Sequence, residues 1–196
     1  MAIKNVNEKP SKISLKKLYY ALMTDEQNET YSEDIKVLEM PISLTQTPNF
    51  SEASLDAGDR VVDQEAQLDS VTIAGETADL PIEVQADWFG HKLSSAGGLI
   101  VNSNDTPRFL AIGYESGSKL VWFFKAKFKP GEEAANTRKK GETTYKTYPF
   151  SGEALPLSTG NIKHVVDTRN KGVTETPETF FASVQMPEEK TTVPTP

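Results

Sequence analysis

The chain has 196 residues, of which 37% are hydrophobic and 25% are charged, with two histidines and no cysteine. This length is sufficient for one domain with its own hydrophobic core. Without cysteine, disulfide frameworks and thiolate-based zinc or iron–sulfur sites are excluded, and two histidines are too few for a histidine-rich metal site. The net charge of −7 argues against binding of nucleic acid over the whole surface, because such binding needs lysine and arginine to neutralise phosphates.

Charge is distributed unevenly along the chain. Residues 25–87 hold sixteen Asp and Glu against Lys36 and Arg60, a net charge of −14, whereas residues 1–20 carry +4 and residues 119–140 carry +5. This segregation favours head-to-tail self-association, in which the acidic surface of one copy meets the basic surface of another. The alternative is that these charged side chains lie on solvent-exposed loops and bind no partner, and charge alone leaves both interpretations open.

The two ends of the chain are predicted to lie outside the folded domain. No segment approaches the roughly 18 apolar residues of a membrane-spanning helix, and the lysine-rich start has no apolar run after it. We therefore expect neither an anchor nor a signal peptide, and a protein made and retained in the cytoplasm. The expected organisation is an N-terminal arm (1–12), one domain (13–186) and a flexible Glu/Lys/Thr/Pro tail (187–196).

Alternation of apolar and polar residues predicts a chain made mainly of β-strands. Strands are expected at residues 13–23, 38–44, 50–56, 60–67, 71–77, 99–102, 109–115, 120–128, 143–152 and 162–168. In 38–44 the even residues are apolar, and Pro41 indicates an edge strand or a bulge.

The segment 120–128 gives the strongest strand signal. Its even positions predict a single core face made of Leu120, Trp122, Phe124, Ala126 and Phe128. The opposite face is predicted to be basic, with Lys119, Lys125, Lys127 and Lys129. Because a Ser116-Gly117 turn connects it to 109–115, the two strands should form a hairpin.

Two helices are predicted. Residues 79–90 have Asp79 as a candidate N-cap, a proline in the first turn and a closing Gly90. The apolar side of this helix comprises Leu80, Val84 and Trp88, with Ile82 and Phe89 beside them. Residues 177–185 should form a second, C-terminal helix, which starts at Thr176 or Pro177 and carries Phe180, Phe181 and Val184. The predicted fold class is therefore mainly β (α+β).

No motif indicates a catalytic, cofactor or metal site, so we expect a protein that is not an enzyme. His91 follows the helix-ending Gly90 and is interpreted as a helix cap. His164 lies in a polar stretch of a predicted strand, which favours a surface role. Residues 56–59 with Asp63 have the composition of a calcium loop without its spacing, so a hairpin turn is preferred.

The order of several segments resembles the major tail proteins of long-tailed bacteriophages with non-contractile tails. The resemblance runs from about residue 13 to residue 184, and no single motif in it is chemically diagnostic. It rests on these segments: ISLKKLYYAL (13–22), ADLPIEVQADWFGH (78–91), FLAIGY (109–114), VWFFKAKF (121–128) and FFASV (180–184). The acidic segment 26–34 and the proline-bearing tail depart from the family's pattern.

The resemblance implies a subunit of two packed antiparallel β-sheets, a sandwich or half-barrel, with one flanking helix and a short C-terminal helix. Six subunits would close a ring with a continuous inner β-barrel, and rings would stack into a tube. The implied partners are further copies of the chain, a tape-measure protein, tail tip and tail terminator proteins, and phage DNA in transient, non-specific passage. The tube would be assembled in the host cytoplasm as part of the virion, without a membrane or a cofactor.

Two charged sets are candidates for roles in such a tube. The odd positions of 59–69 predict an acidic lumen wall that repels DNA, made of Asp59, Asp63, Glu65 and Asp69. Solvated carboxylates on the outer sheet are the alternative. Contacts between rings are predicted for Lys125, Lys127, Lys129, Arg138, Lys139 and Lys140. Their acidic partners are expected in 26–34 or 52–59 of a neighbour.

A second function remains open on the sequence alone. A monomeric β-sandwich binding module of a virion, for host adhesion or carbohydrate binding, would have the same fold class. Such a module is expected to present exposed aromatic side chains in a loop, whereas the aromatics here fall mostly at alternating strand and helix positions. An enzyme is the third possibility, and it lacks a recognisable set of catalytic residues.

Overall fold

The computed structural model describes residues 14–56, 61–133 and 145–187, and it describes only the backbone of residues 54–56 and 61–63. The strands of this part are β1 (Leu15–Asp25), β2 (Thr30–Tyr31), β3 (Lys36–Leu38), β4 (Pro41–Asp56), β5 (Val61–Thr77), β6 (Lys92–Leu93), β7 (Leu99–Ile100), β8 (Leu110–Ser116), β9 (Lys119–Pro130), β10 (Tyr148–Leu155) and β11 (Lys163–Asp167). The helices are α1 (Ile82–Phe89) and α2 (Pro177–Phe180). The predicted mainly β class is confirmed. The predicted arm (1–12) and all of the predicted tail except residue 187 lie outside the described residues.

Strand β9 connects the two halves of the main antiparallel sheet. The sheet has the order β2-β1-β8-β9-β10-β5-β4, with β3 also beside β1 and β11 also beside β9. One edge of β9 pairs with β8, while the other edge pairs with β11 over residues 119–123 and with β10 over residues 125–130. The predicted hairpin of 109–115 and 120–128 is thereby confirmed as β8 and β9.

The sheet folds into two packed layers. One layer contains β4, β5, β10 and the end of β9, and the other contains β1, β8, β11 and the start of β9. Gln46 of β4 bridges the layers, because its side-chain amide donates to the Tyr114 hydroxyl of β8 and its carbonyl oxygen accepts from Lys163 Nζ at 3.4 Å. The sandwich or half-barrel architecture is therefore present within one continuous hydrogen-bonded sheet.

A β-bulge in β9 moves its later side chains to the other face. Leu110 pairs with Ala126 and Ile112 pairs with Phe123, so β9 has one residue more than β8 in this interval. Trp122 consequently faces a second core outside the layers, together with Leu120 and Phe124. Ala126, like Phe128, faces the main core between the layers. The predicted single core face of 120–128 is therefore wrong, because an inserted residue reverses the period-2 alternation.

The two cores bury both faces of the first half of β9. The main core includes Phe128, Phe150 and Ile73, and helix α1 adds Trp88 to it. The second core is covered by the segment around α2, where the Trp122 indole Nε1 donates to the Phe180 carbonyl oxygen at 3.1 Å. Since every side chain from residue 120 to residue 124 is at most 2% exposed, this part of β9 is completely enclosed.

Helix α1 packs its apolar side into the main core. Leu80, Val84, Trp88 and Phe89 are buried there. The predicted Asp79 cap is wrong: the N-cap position is Pro81, which makes no side-chain hydrogen bond, and Leu80 O instead accepts from Gln85 Nε2 at 2.8 Å.

Gly90 ends α1 as predicted. Its N–H donates to the Ala86 carbonyl oxygen and its φ is 76°, in the left-handed region that favours glycine. A Cβ atom at this position would lie 2.1 Å from the Thr106 carbonyl oxygen, so any other residue would displace the loop that packs there.

Helix α2 is a single turn, shorter than the predicted 177–185. Thr176 caps it, because its side chain accepts from the Thr179 N–H while the Thr179 side chain accepts from the Thr176 N–H. The helix stops where Phe181 stacks on Tyr19, with ring centroids 3.9 Å apart. Among the described residues, no helix is long and apolar enough to cross a membrane.

We predict that Trp88→Ala lowers the free energy of unfolding by about 3–5 kcal/mol, the usual cost of emptying a buried aromatic site. Trp88 is 0% exposed, and its ring lies 4.9 Å from that of Phe128 and 5.1 Å from that of Phe150. Denaturant unfolding measures the change, with Phe50→Ala, at a side chain 57% exposed, as the aromatic control. A loss for Trp88→Ala no larger than that of the control would contradict the assignment.

Candidate assembly surfaces

The layer of β4, β5, β10 and β9 has one face that does not contact the main core. Because directly paired residues of an antiparallel sheet lie on the same face, its members can be read from the register. This polar face comprises Ser43, Thr45, Thr47, Asn49, Ser70, Thr72, Ala74, Glu76, Pro149, Ser151, Glu153, Leu155, Lys125, Lys127 and Lys129.

Hydrogen bonds connect side chains across the polar face. Asn49 Nδ2 donates to Ser70 Oγ at 3.0 Å and to Thr72 Oγ1 at 2.9 Å. Ser70 Oγ in turn donates to a Glu153 carboxylate oxygen. These contacts join β4, β5 and β10, so the face is a fixed hydroxyl-rich surface.

A second bulge, at Asp69 of β5, reverses the alternation of side chains before Ser70, so that Asp69 lies on the polar face. Asn49 pairs with Ser70 and Phe50 pairs with Leu68, so Asp69 is the additional residue. Leu68 packs against the main core, whereas Asp69 accepts a hydrogen bond from Ser51 Oγ at 3.0 Å.

Strands β4 and β5 continue beyond the layer as a two-stranded ribbon, residues 50–56 and 61–68. The pairing of β10 with β5 stops at Ala154 and Val71, so no described strand lies beside the ribbon. The predicted hairpin after Asp56 is confirmed by its pairing with Val61, although the predicted strands 60–67 and 71–77 are one continuous strand. We call this segment the acidic ribbon, because Glu52 and Glu65 are exposed on it and its described residues include no lysine or arginine.

The layer also has a free edge on each side among the described residues. β4 is the outermost strand on one side. On the other side, the pairing of β9 with β8 ends at Ala126, so residues 127–130 have an unpaired outer edge. Free strand edges present unsatisfied backbone groups to any further strand.

Three lysines of β9 lie on the polar face beside this second free edge. Lys127 Nζ is 3.7 Å and Lys125 Nζ is 4.9 Å from the Phe109 ring centroid, and Lys129 is exposed. Glu153 is the residue opposite Lys127. Within the described part of the chain, none of the three lysines makes an ion pair.

The predicted apolar row of 38–44 is wrong. Leu38 is buried on β3, which pairs with β1 in one layer, whereas β4 pairs with β5 in the other. The chain therefore changes layers after Leu38, and Met40 and Ile42 are 55% and 50% exposed. Pro41 lies on an edge strand next to a register shift, as its sequence position predicted.

Both histidines have structural contacts. His91 Nδ1 lies 2.8 Å from Asp105 Oδ2 and bonds this loop residue rather than the helix carbonyls that the sequence suggested. The Asn102 N–H and His91 hold the pKa of Asp105 below its ordinary value. His164 is half-buried against the Phe180 ring, and burial lowers its pKa. In the described part of the chain, no group of three or more His, Asp and Glu side chains is placed to hold a metal ion.

The structure places part of each predicted charged set on the polar face. Glu65 and Asp69 are exposed on it, and Lys125, Lys127 and Lys129 share it. Asp59, the side chain of Asp63, Arg138, Lys139 and Lys140 lie outside the described residues. The sequence reasoning missed the row of hydroxyls at Ser43, Thr45 and Thr47, which their alternation with Leu44 and Gln46 could have revealed.

Comparisons with known proteins give likenesses to solved structures. No protein-family model matches the chain, and the curated proteins give no match. Among solved structures, the chain is similar to one from the cryo-EM structure of the anti-feeding prophage baseplate, determined with six-fold symmetry. The two are 11% identical with a TM-score of 0.43, over 84% of this chain and 100% of the other. A likeness of this degree carries no functional assignment by itself.

We predict that amides of the acidic ribbon exchange with solvent at least about 100-fold faster than those of residues 120–124 of β9 in the dispersed protein. A two-stranded ribbon without a packed face is marginally stable, whereas residues 120–124 of β9 are buried on both faces and their opening approaches global unfolding. Hydrogen exchange followed by mass spectrometry measures the difference. Equal protection of the two segments would show that the ribbon is stable without a partner.

Proposed function

We propose that the protein is a structural subunit of a virion, the major tail tube protein of a long-tailed phage with a non-contractile tail. The observation that carries the proposal is the four-stranded layer with a free edge on each side, one polar face and one face packed on the core. The exposed edges suit pairing with further copies, and the polar face suits the wall of a water-filled channel.

The two free edges differ from each other, so contact between them is heterologous. A heterologous contact that closes generates a ring, and one that does not close generates a filament. Closure would pair every edge of the layer with a strand of the next copy, which removes the exposed edges of the monomer. Six copies would give a barrel of about 24 strands, with a backbone diameter of roughly 48 Å at a strand spacing near 4.8 Å and a tilt near 40°.

In this arrangement the polar face lines the channel. Rings stack around a tape-measure protein, the tube ends at tail tip and tail terminator proteins, and phage DNA passes through without being read. The polar face carries Lys125, Lys127 and Lys129 as well as Glu65 and Asp69, so the wall has both signs of charge rather than acids alone. Assembly takes place in the host cytoplasm, without a cofactor or a catalytic step.

We expect the purified full chain, concentrated and examined by negative-stain electron microscopy, to show rings or tubes with a central channel. Ring closure through the layer edges is the physical reason. A dispersed monomer at high concentration would contradict the proposal and favour the monomeric adhesion module.

We also expect self-assembly to slow roughly tenfold between low and near-molar salt, because steering between acidic and basic surfaces is screened beyond about 3 Å at 1 M. Light scattering follows the assembly rate. Equal rates at both salt concentrations would remove charge steering from the account while leaving strand pairing in place.

A further inference from the structure

The acidic ribbon needs a surface that its own chain does not supply in the described residues. No described strand lies beside it, and Phe50 at its base is 57% exposed. Its carboxylates Glu52 and Glu65 make no ion pair within the described residues. An isolated two-stranded ribbon of this kind becomes stable when a further strand or a packed surface covers it.

The free edge of β9 offers the complementary features. Residues 127–130 are paired with no described strand on their outer edge; Lys127 and Lys129 lie along this edge on the polar face, and Lys125 lies next to it on the same face. Of the residues directly opposite these three lysines, which are Leu155, Glu153 and Ser151, only Glu153 carries a negative charge. The edge therefore combines free backbone groups with surplus positive charge.

Within one chain the ribbon and this edge lie on opposite sides of the layer. Glu65 is also five residues beyond Ser70, the last β5 residue before the bulge, which at about 3.3 Å per residue places it roughly 16 Å further along the strand. A second copy added at the edge of the layer brings the two features together, because the register stagger of a closed barrel offsets neighbouring copies by about this distance along the strands. Continuing the sheet also keeps Glu65 and the three lysines on the same face.

We propose that the acidic ribbon of one copy docks against the lysine-bearing edge of β9 in the neighbouring copy of the same ring. This inference rests on the proposed function, since it assigns the partner of the free edges. It also moves Lys125, Lys127 and Lys129 from contacts between rings to contacts within a ring. Electrostatic complementarity then selects the head-to-tail arrangement over pairing of like edges.

The test reverses charge on each side separately. The ribbon variant is Glu65→Lys with Asp69→Lys, which changes the two exposed carboxylates of this segment on the polar face, and the edge variant is Lys127→Glu with Lys129→Glu. Each variant alone juxtaposes like charges, so we expect at least about tenfold fewer rings than for the wild-type chain. An equimolar mixture should restore rings, because each reversed surface then meets its complement in the other variant.

Matched controls separate this effect from misfolding and from net charge. Lys92→Glu with Lys171→Glu makes the same charge change as the edge variant at exposed sites on β6 and after β11, and it should assemble like the wild type. Lys129→Glu alone, at a residue opposite Ser151, keeps the test valid if a glutamate at position 127 disturbs folding beside Glu153. Thermal melting and circular dichroism verify each fold.

The outcomes distinguish the inference from the proposed function. Rings of the wild type that are lost in each variant and restored in the mixture support the ribbon contact. Rings that form equally well in both variants overturn the contact and leave the tube subunit standing. A wild-type chain that forms no rings overturns both.

Discussion

The burial of β9 on both faces is the constraint on which the rest of the structure depends. Residues 120–124 are enclosed between two cores, and the bulge after them exchanges the face that each side chain presents. With the bulge, one strand belongs to both layers: its first half pairs with β11 and its second half with β10. The two layers, their shared core and the separate C-terminal cover all follow from this division.

The same division produces the surface available for assembly. Helix α1 and the opposite layer fill one side of β4, β5, β10 and the end of β9, so the other side faces solvent and carries hydroxyls and charges. Because β8 leaves β9 at Ala126, the end of β9 becomes an edge, and β4 forms the other edge. A sheet with two unlike edges, a covered face and a polar face is compatible with the heterologous contact of the ring that we propose.

The sequence predicted local elements well and their placement less well. The β8–β9 hairpin and the Gly90 end of α1 follow from turn and cap residues, which act locally. The faces of β9 were not predictable from alternation, because residues 120–124 are all apolar or aromatic and no polar side chain marks either face. Likewise, the break after Leu38 depends on the exchange of strand partners between layers, a tertiary effect without a local signal. The free edges emerge only from the pairing of distant strands.

Disulfide mapping tests the central claim, head-to-tail pairing of the two layer edges, most directly. The chain has no cysteine, so cysteines can be placed without background: one variant carries Ser51→Cys on β4 at the base of the acidic ribbon, and a set of partner variants carries single cysteines at positions 127–130 of β9. The account predicts mixed disulfides between the β4 variant and at least one β9 variant under assembling conditions, since a disulfide requires Cα atoms about 4.4–6.8 Å apart. Rings that form without any such mixed disulfide, or that link only β4 to β4 or β9 to β9, would contradict it.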